Sequence, residues 1–123
     1  MIRISLCVAL VVMCFACSDP YAAEDRATLR RKDADFGQQL EALHASELAA
    51  RSPSCKAYLD AITADRKARL ACDKPNMLET FGVQQITIKR VRKFAAIQDP
   101  RQLAAACESA QQDLASETHC VDR

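Results

Sequence analysis

Asp99-Pro100-Arg101-Gln102-Leu103-Ala104-Ala105-Ala106-Cys107-Glu108-Ser109-Ala110-Gln111-Gln112-Asp113-Leu114 is the stretch that decides the fold class. Asp99 offers a side-chain oxygen to the orphan amides of a helix start. Pro100 suits the first helical position, where its missing N–H is not needed. Leu103, Cys107, Ala110 and Leu114 then recur at steps of 4, 3 and 4, one face of an α-helix. A cysteine on that face is where a covalent tie to a neighbouring helix would be placed. The helix is expected to end near Ser116 and to leave Cys120 in a short tail.

Helical signals continue toward the N-terminus. From about Val83 to Gln98, the residues Val83, Ile86, Val91, Phe94 and Ile97 suggest a helix whose other face carries Lys89, Arg90, Arg92 and Lys93. Before it, Met77 to Phe81 reads as one short helical turn with Gly82 as its stop. Ser52-Pro53 is a second cap-plus-proline start, followed by Cys55, Tyr58, Leu59, Ile62 and Leu70. That helix runs to about Cys72, where Asp73-Lys74-Pro75 ends it. The first helix is expected from about Ala23 to Arg51, with Leu29, Phe36, Leu40 and Leu43 on one face. Gly37 weakens it by about 1 kcal/mol relative to alanine. With two glycines and no alternating β pattern, the expected fold is all-α. It is a small bundle of three to four helices forming a single domain over residues 18–123.

Residues 1–17 read as a targeting signal. Arg3 precedes an apolar run from Ile4 to Ala16, interrupted only by Ser5. About 13 residues match a signal core and fall short of the roughly 20 needed to span a bilayer. Phe15-Ala16-Cys17-Ser18 has the form of a lipoprotein cleavage site, with Cys17 as the lipidated first residue. Cys14 and Phe15 depart from the aliphatic and small residues usual there, and cleavage nearby by ordinary signal peptidase is the alternative. The exported chain would then lie in the periplasm, held to a membrane through its lipid.

All 16 acidic residues lie beyond Cys17, and one of the 17 basic residues is Arg3. The exported part is therefore neutral, which argues against nucleic acid as a partner. Cys55, Cys72, Cys107 and Cys120 remain past the signal. An even number in an oxidising compartment predicts two disulfides. Their spacings of 16, 34 and 12 intervening residues contain no C-x-x-C pair, so zinc ligation is not expected. On one unbroken helix Cys55 and Cys72 stand about 25 Å apart, beyond disulfide reach. Each would pair with Cys107 or Cys120, in an order the sequence leaves open. A Cys107–Cys120 loop is also reachable if the tail folds back.

No catalytic constellation is present. His44 reads as a boundary residue of the first helix, and His119 as a solvated tail residue. The acidic residues form no evident acid–base pair, and no phosphate loop or HExxH motif occurs. The chain is expected to be no enzyme and to take no metal or cofactor. Lys89, Arg90, Arg92 and Lys93 either contact anionic lipid or an acidic partner, or are the solvated face of their helix. Arg30-Arg31-Lys32 is answered by Asp33 and Asp35 and reads as ordinary surface.

The segment Cys107-Glu108-Ser109-Ala110-Gln111-Gln112-Asp113-Leu114-Ala115-Ser116-Glu117-Thr118-His119-Cys120-Val121-Asp122 resembles the entry-exclusion (Eex-type) lipoproteins of conjugative type IV secretion systems. Those chains share a lipoprotein signal, a helical segment, and a Cys followed by twelve intervening residues with an acidic-Leu pair near the middle, then a second Cys followed by an aliphatic residue and Asn. Asp113-Leu114 and Val121-Asp122 fall at the matching places, and Asp99-Pro100 precedes the first cysteine. The match covers about 25 residues. The family's Asn-Pro-Gly turn is missing, and Cys55 and Cys72 are additional. The resemblance implies a Cys107–Cys120 bond and a non-enzymatic periplasmic lipoprotein that binds a protein partner in the cell envelope. The alternative is a periplasmic inhibitor or immunity protein that caps a toxin or hydrolase. A third reading is a structural envelope protein resting on membrane phosphates through Lys89 to Lys93.

Overall fold

The computed structural model describes residues 20–116 and 119–121 of the chain. The expected signal segment and Cys17 lie outside them. The described residues form five α-helices and no strand: α1 Pro20–Ala42, α2 Ala45–Arg51, α3 Pro53–Leu70, α4 Met77–Ala95 and α5 Pro100–Ala115. The all-α, disulfide-stapled bundle follows the sequence expectation, while the division into helices differs in two places.

The expected Ala23-to-Arg51 helix is broken. His44 takes a left-handed conformation with φ 55°, and its amide bonds to the Glu41 carbonyl. The chain turns there and restarts as α2. Gly82, expected as a stop, lies inside α4 with no positive φ. The real start is Asn76, whose side chain accepts from the Glu79 amide while its own Nδ2 donates to the Glu79 carboxylate. That reciprocal cap makes one helix from Met77 onward. Asp99 caps α5 through the Gln102 amide as expected. Ser52 stands at the cap position of α3 without a side-chain cap bond.

Three contacts order the bundle. Arg69–Thr80, Tyr58–Phe94 and Arg51–Ile97 descend α3 to the end of α2 just before it while ascending toward and past the end of α4, so α3 and α4 are antiparallel. The disulfides Cys55–Cys107 and Cys72–Cys120 run α3 parallel to α5 and its tail. The Asp33 carboxylate accepts from Arg66 at 2.8 and 3.2 Å, bracing α1 against α3. Asp33 therefore serves Arg66, not the neighbouring basic run.

The core joins Phe36, Leu40, Leu48, Cys55, Tyr58, Ile62, Val91, Phe94, Leu103, Cys107, Ala110 and Leu114. All four stripe residues of α5 are buried. Leu70 and Ile86, expected inward, are 41% and 51% exposed. Thr80 and Thr87 take inward positions on α4 instead. A threonine is acceptable inside because each hydroxyl has a buried partner: Arg69 for Thr80 and the Tyr58 side chain for Thr87.

Candidate interaction surface

The α4 sequence carries one acidic residue, Glu79, and four cations near its C-terminal end. Glu79 is directed inward, toward the Asn76 amide group and the buried Arg69 guanidinium. The four cations do not act as one group. Arg90 is half-buried and donates to the Asp113 carboxylate of α5 at 2.8 Å. Lys89, Arg92 and Lys93 are exposed, with no acid of α4 among them. On the same side of α4 stand Leu78, 88% exposed, and Ile86. Lys32 of α1 lies over the Phe81 ring at 5.9 Å and borders this face on its other flank.

Between α4 and α5, beside Ile86, is an open cavity of about 220 Å³ walled by Val83, Ile86 and Leu114, with Arg90 and Asp113 at its rim. Tyr58 lies in its wall and is almost fully buried. Burial pushes the Tyr58 hydroxyl pKa up, opposed by its bond to Thr87 and the nearby Arg90 charge. The tyrosine is therefore a neutral hydrogen-bonding group at neutral pH.

A second polar cluster closes one end of the bundle. Asp65 and Arg69, one turn apart on α3, are both buried, and the Arg69 Nε donates to Asp65 Oδ2 at 2.8 Å. The other Asp65 oxygen faces His119 Nε2 at 2.8 Å. Arg69 also donates to Thr80 Oγ1. His119, expected as a solvated residue, is instead directed onto α3. The Cys72–Cys120 bond holds it there, with the backbone bonds Asn76 N–H to His119 O and Val121 N–H to Lys74 O. His44, by contrast, is exposed at its turn.

The cysteines pair as Cys55–Cys107 and Cys72–Cys120, with Cα separations of 4.9 and 5.5 Å. The Cys107–Cys120 bond implied by the family resemblance is not formed. Cys107 is on the buried face of α5 against α3, where Cys55 meets it one helix away. Cys120 lies one tail length further along, level with Cys72. Among the described residues no group of three or more His, Cys, Asp or Glu side chains is arranged to hold a metal ion. No described helix is long and apolar enough to cross a membrane.

Sequence reasoning identified the cations and the cysteines but missed Leu78 and the Asp65–Arg69–His119 cluster. An Asp-x-x-x-Arg spacing on α3 was the available signal. No family model matches the sequence, and no curated protein or solved structure matches it either.

Proposed function

We propose that this chain is a non-enzymatic binding protein of the bacterial cell envelope. It is exported by residues 1–17, anchored by lipid on Cys17, and acts in entry exclusion at a conjugative type IV secretion system. The observation that carries the binding reading is the outer face of α4, where exposed Leu78 and Ile86 share a side with the exposed cations Lys89, Arg92 and Lys93. Two disulfides in a bundle of this size support an oxidising destination. Deleting the gene should raise DNA uptake from an identical donor. Unchanged uptake would remove the exclusion role. Intact mass of the membrane-extracted protein reads the anchor: a diacyl or triacyl addition on a chain beginning at Cys17 supports it, and an unmodified chain beginning further on removes it.

A specific observation favours a second reading. The cysteine pairing departs from the one that the entry-exclusion resemblance implies. A periplasmic inhibitor or immunity protein, a rigid helical cap for a toxin or hydrolase, uses the same surface without that resemblance. Co-purification with the product of a neighbouring toxin gene would select it.

A further inference from the structure

The two glycines of α1 and α4 are in different situations. At Gly37 a Cβ would come 2.7 Å from Arg66 Nη2, so the missing side chain makes room for a neighbour within the chain. At Gly82 a Cβ would meet no heavy atom of the described residues within 4 Å beyond its chain neighbours and its own helix backbone. Gly82 has no positive φ, and it occupies the interior of a 19-residue helix, where glycine is the poorest helix former after proline. Nothing among the described residues calls for glycine at this position. Leu78 and Ile86, one turn to either side of it, are the two most exposed large apolar residues described. The three form one i, i+4, i+8 ridge about 12 Å long with a gap at its centre. Lys89 and Lys93 continue the same side of the helix, Arg92 lies beside them, and no α4 carboxylate does.

We propose that Leu78, Gly82 and Ile86, with the cations Lys89, Arg92 and Lys93, form a docking face for an acidic amphipathic helix of a partner protein, which makes its closest approach at Gly82. This rests on the reading of the chain as a binding protein and names the partner's chemistry. A missing side chain allows two helix backbones to come closer than side-chain packing otherwise permits. Leu78 and Ile86 bracket that crossing as ridges, and the cations meet carboxylates further along. A membrane surface fits less well, because fluid headgroups accommodate a side chain as readily as a gap. A second copy also fits less well. Side-by-side parallel copies would set Lys89 and Lys93 against themselves, and an antiparallel crossing at Gly82 would carry them past Met77, where α4 begins, while the one carboxylate of α4, Glu79, is directed inward.

The test places a photo-crosslinking residue at Leu78 in the full chain, in its own cells, with control positions at the exposed Glu47 of α2 and Glu108 of α5. The expected result is a protein adduct from Leu78 whose crosslinked peptide is an acidic, helix-periodic segment. Gly82→Leu should reduce it about tenfold, as should Lys89→Glu combined with Lys93→Glu. Gly82→Leu should at the same time raise the melting temperature by roughly 4 °C, because leucine is the better helix former. Loss of docking therefore would not reflect loss of fold. An adduct with lipid or with a second copy of the chain, an adduct indifferent to Gly82→Leu, or no adduct at Leu78 would overturn the docking face. Adducts from Glu47 or Glu108 alone would overturn it and leave the binding reading standing, whereas none from any position would remove both.

Discussion

His119 Nε2 lies 2.8 Å from Asp65 Oδ1, so the tail lays a titratable ring against a carboxylate that is already committed to Arg69. Asp65 ties the tail to α3, and the buried Arg69 guanidinium ties α3 to α4. Arg69 is 3% exposed, and its charge depends on Asp65 at the shortest distance, with Glu79 further away at 3.8 Å.

Asp65→Asn is therefore expected to cost about 3 kcal/mol, because it leaves a buried cation without its main counter-charge. Thermal unfolding should show a fall of more than about 10 °C for a domain of this size. His119→Ala removes a half-exposed partner and should cost about 1 kcal/mol or less. A larger loss for His119→Ala than for Asp65→Asn would place the stabilising contact in the tail and not on α3.

Tyr58 gives a pH dependence. Burial raises its pKa above the ordinary 10.0, so the folded state holds the phenol proton more tightly than the unfolded state does. The sign follows: this contribution is complete below pH about 10 and is lost as pH rises through the folded value. Tyr21→Phe leaves Tyr58 as the sole tyrosine. In that background, tyrosinate absorbance should appear above pH 10 and coincide with falling stability. Ionisation at or below pH 10 with the fold intact would contradict the burial.

The glycines separate by substitution. Gly82→Ala should stabilise by roughly 0.5–1 kcal/mol, the ordinary helix gain. Gly37→Ala should yield no such gain, because the Arg66 guanidinium has to move from its bidentate seat on Asp33. In an Asp33→Ala background, where Arg66 is no longer fixed, Gly37→Ala should recover most of the gain. Chemical denaturation of the four variants checks the cycle.

The two disulfides should differ in accessibility. Cys55 and Cys107 are fully buried, whereas Cys120 is exposed. A mild dithiol is expected to open Cys72–Cys120 first, and mass-tagging of free thiols should report two labels before four. Each bond closes a loop of about 50 residues and should contribute about 4 kcal/mol by restricting the unfolded chain. Simultaneous appearance of four labels would show that the inner bond is no better protected than the outer.

Much of the architecture was legible where local signals agreed. On α5 the cap, the proline and the apolar period coincide, and all four stripe residues are inside. α4 was misread because its inward face includes two threonines, and a reading of apolar residues alone passes over them. Their burial depends on Arg69 and Tyr58, which are distant in sequence. Gly82 reads as punctuation in the sequence, whereas the reciprocal cap of Asn76 and Glu79 sets the start of the helix. The break at His44 comes from a left-handed residue that carries no glycine or asparagine signal. Cysteine partnership followed from helix geometry only as far as excluding Cys55–Cys72. The choice between Cys107 and Cys120 depends on how α3 and α5 run relative to each other, a long-range property. Of the candidate surface, the cations were visible in sequence. Their division into the Arg90–Asp113 pair and an exposed trio was not, because Asp113 belongs to another helix.

The disulfide loops interleave: Cys72 lies inside the span closed by Cys55 and Cys107, and Cys107 inside the span closed by Cys72 and Cys120. A single backbone cut anywhere from residue 56 to residue 119 therefore leaves both pieces joined by at least one sulfur bridge. α3, α4 and α5 tolerate such nicking as one particle. Among the described helices α1 and α2 alone stand upstream of both bridges, so a protease acting there detaches them and takes Phe36, Leu40 and Leu48 out of the core. The molecule's susceptibility to digestion is thus set by topology, with its expendable end and its protected end meeting at Cys55.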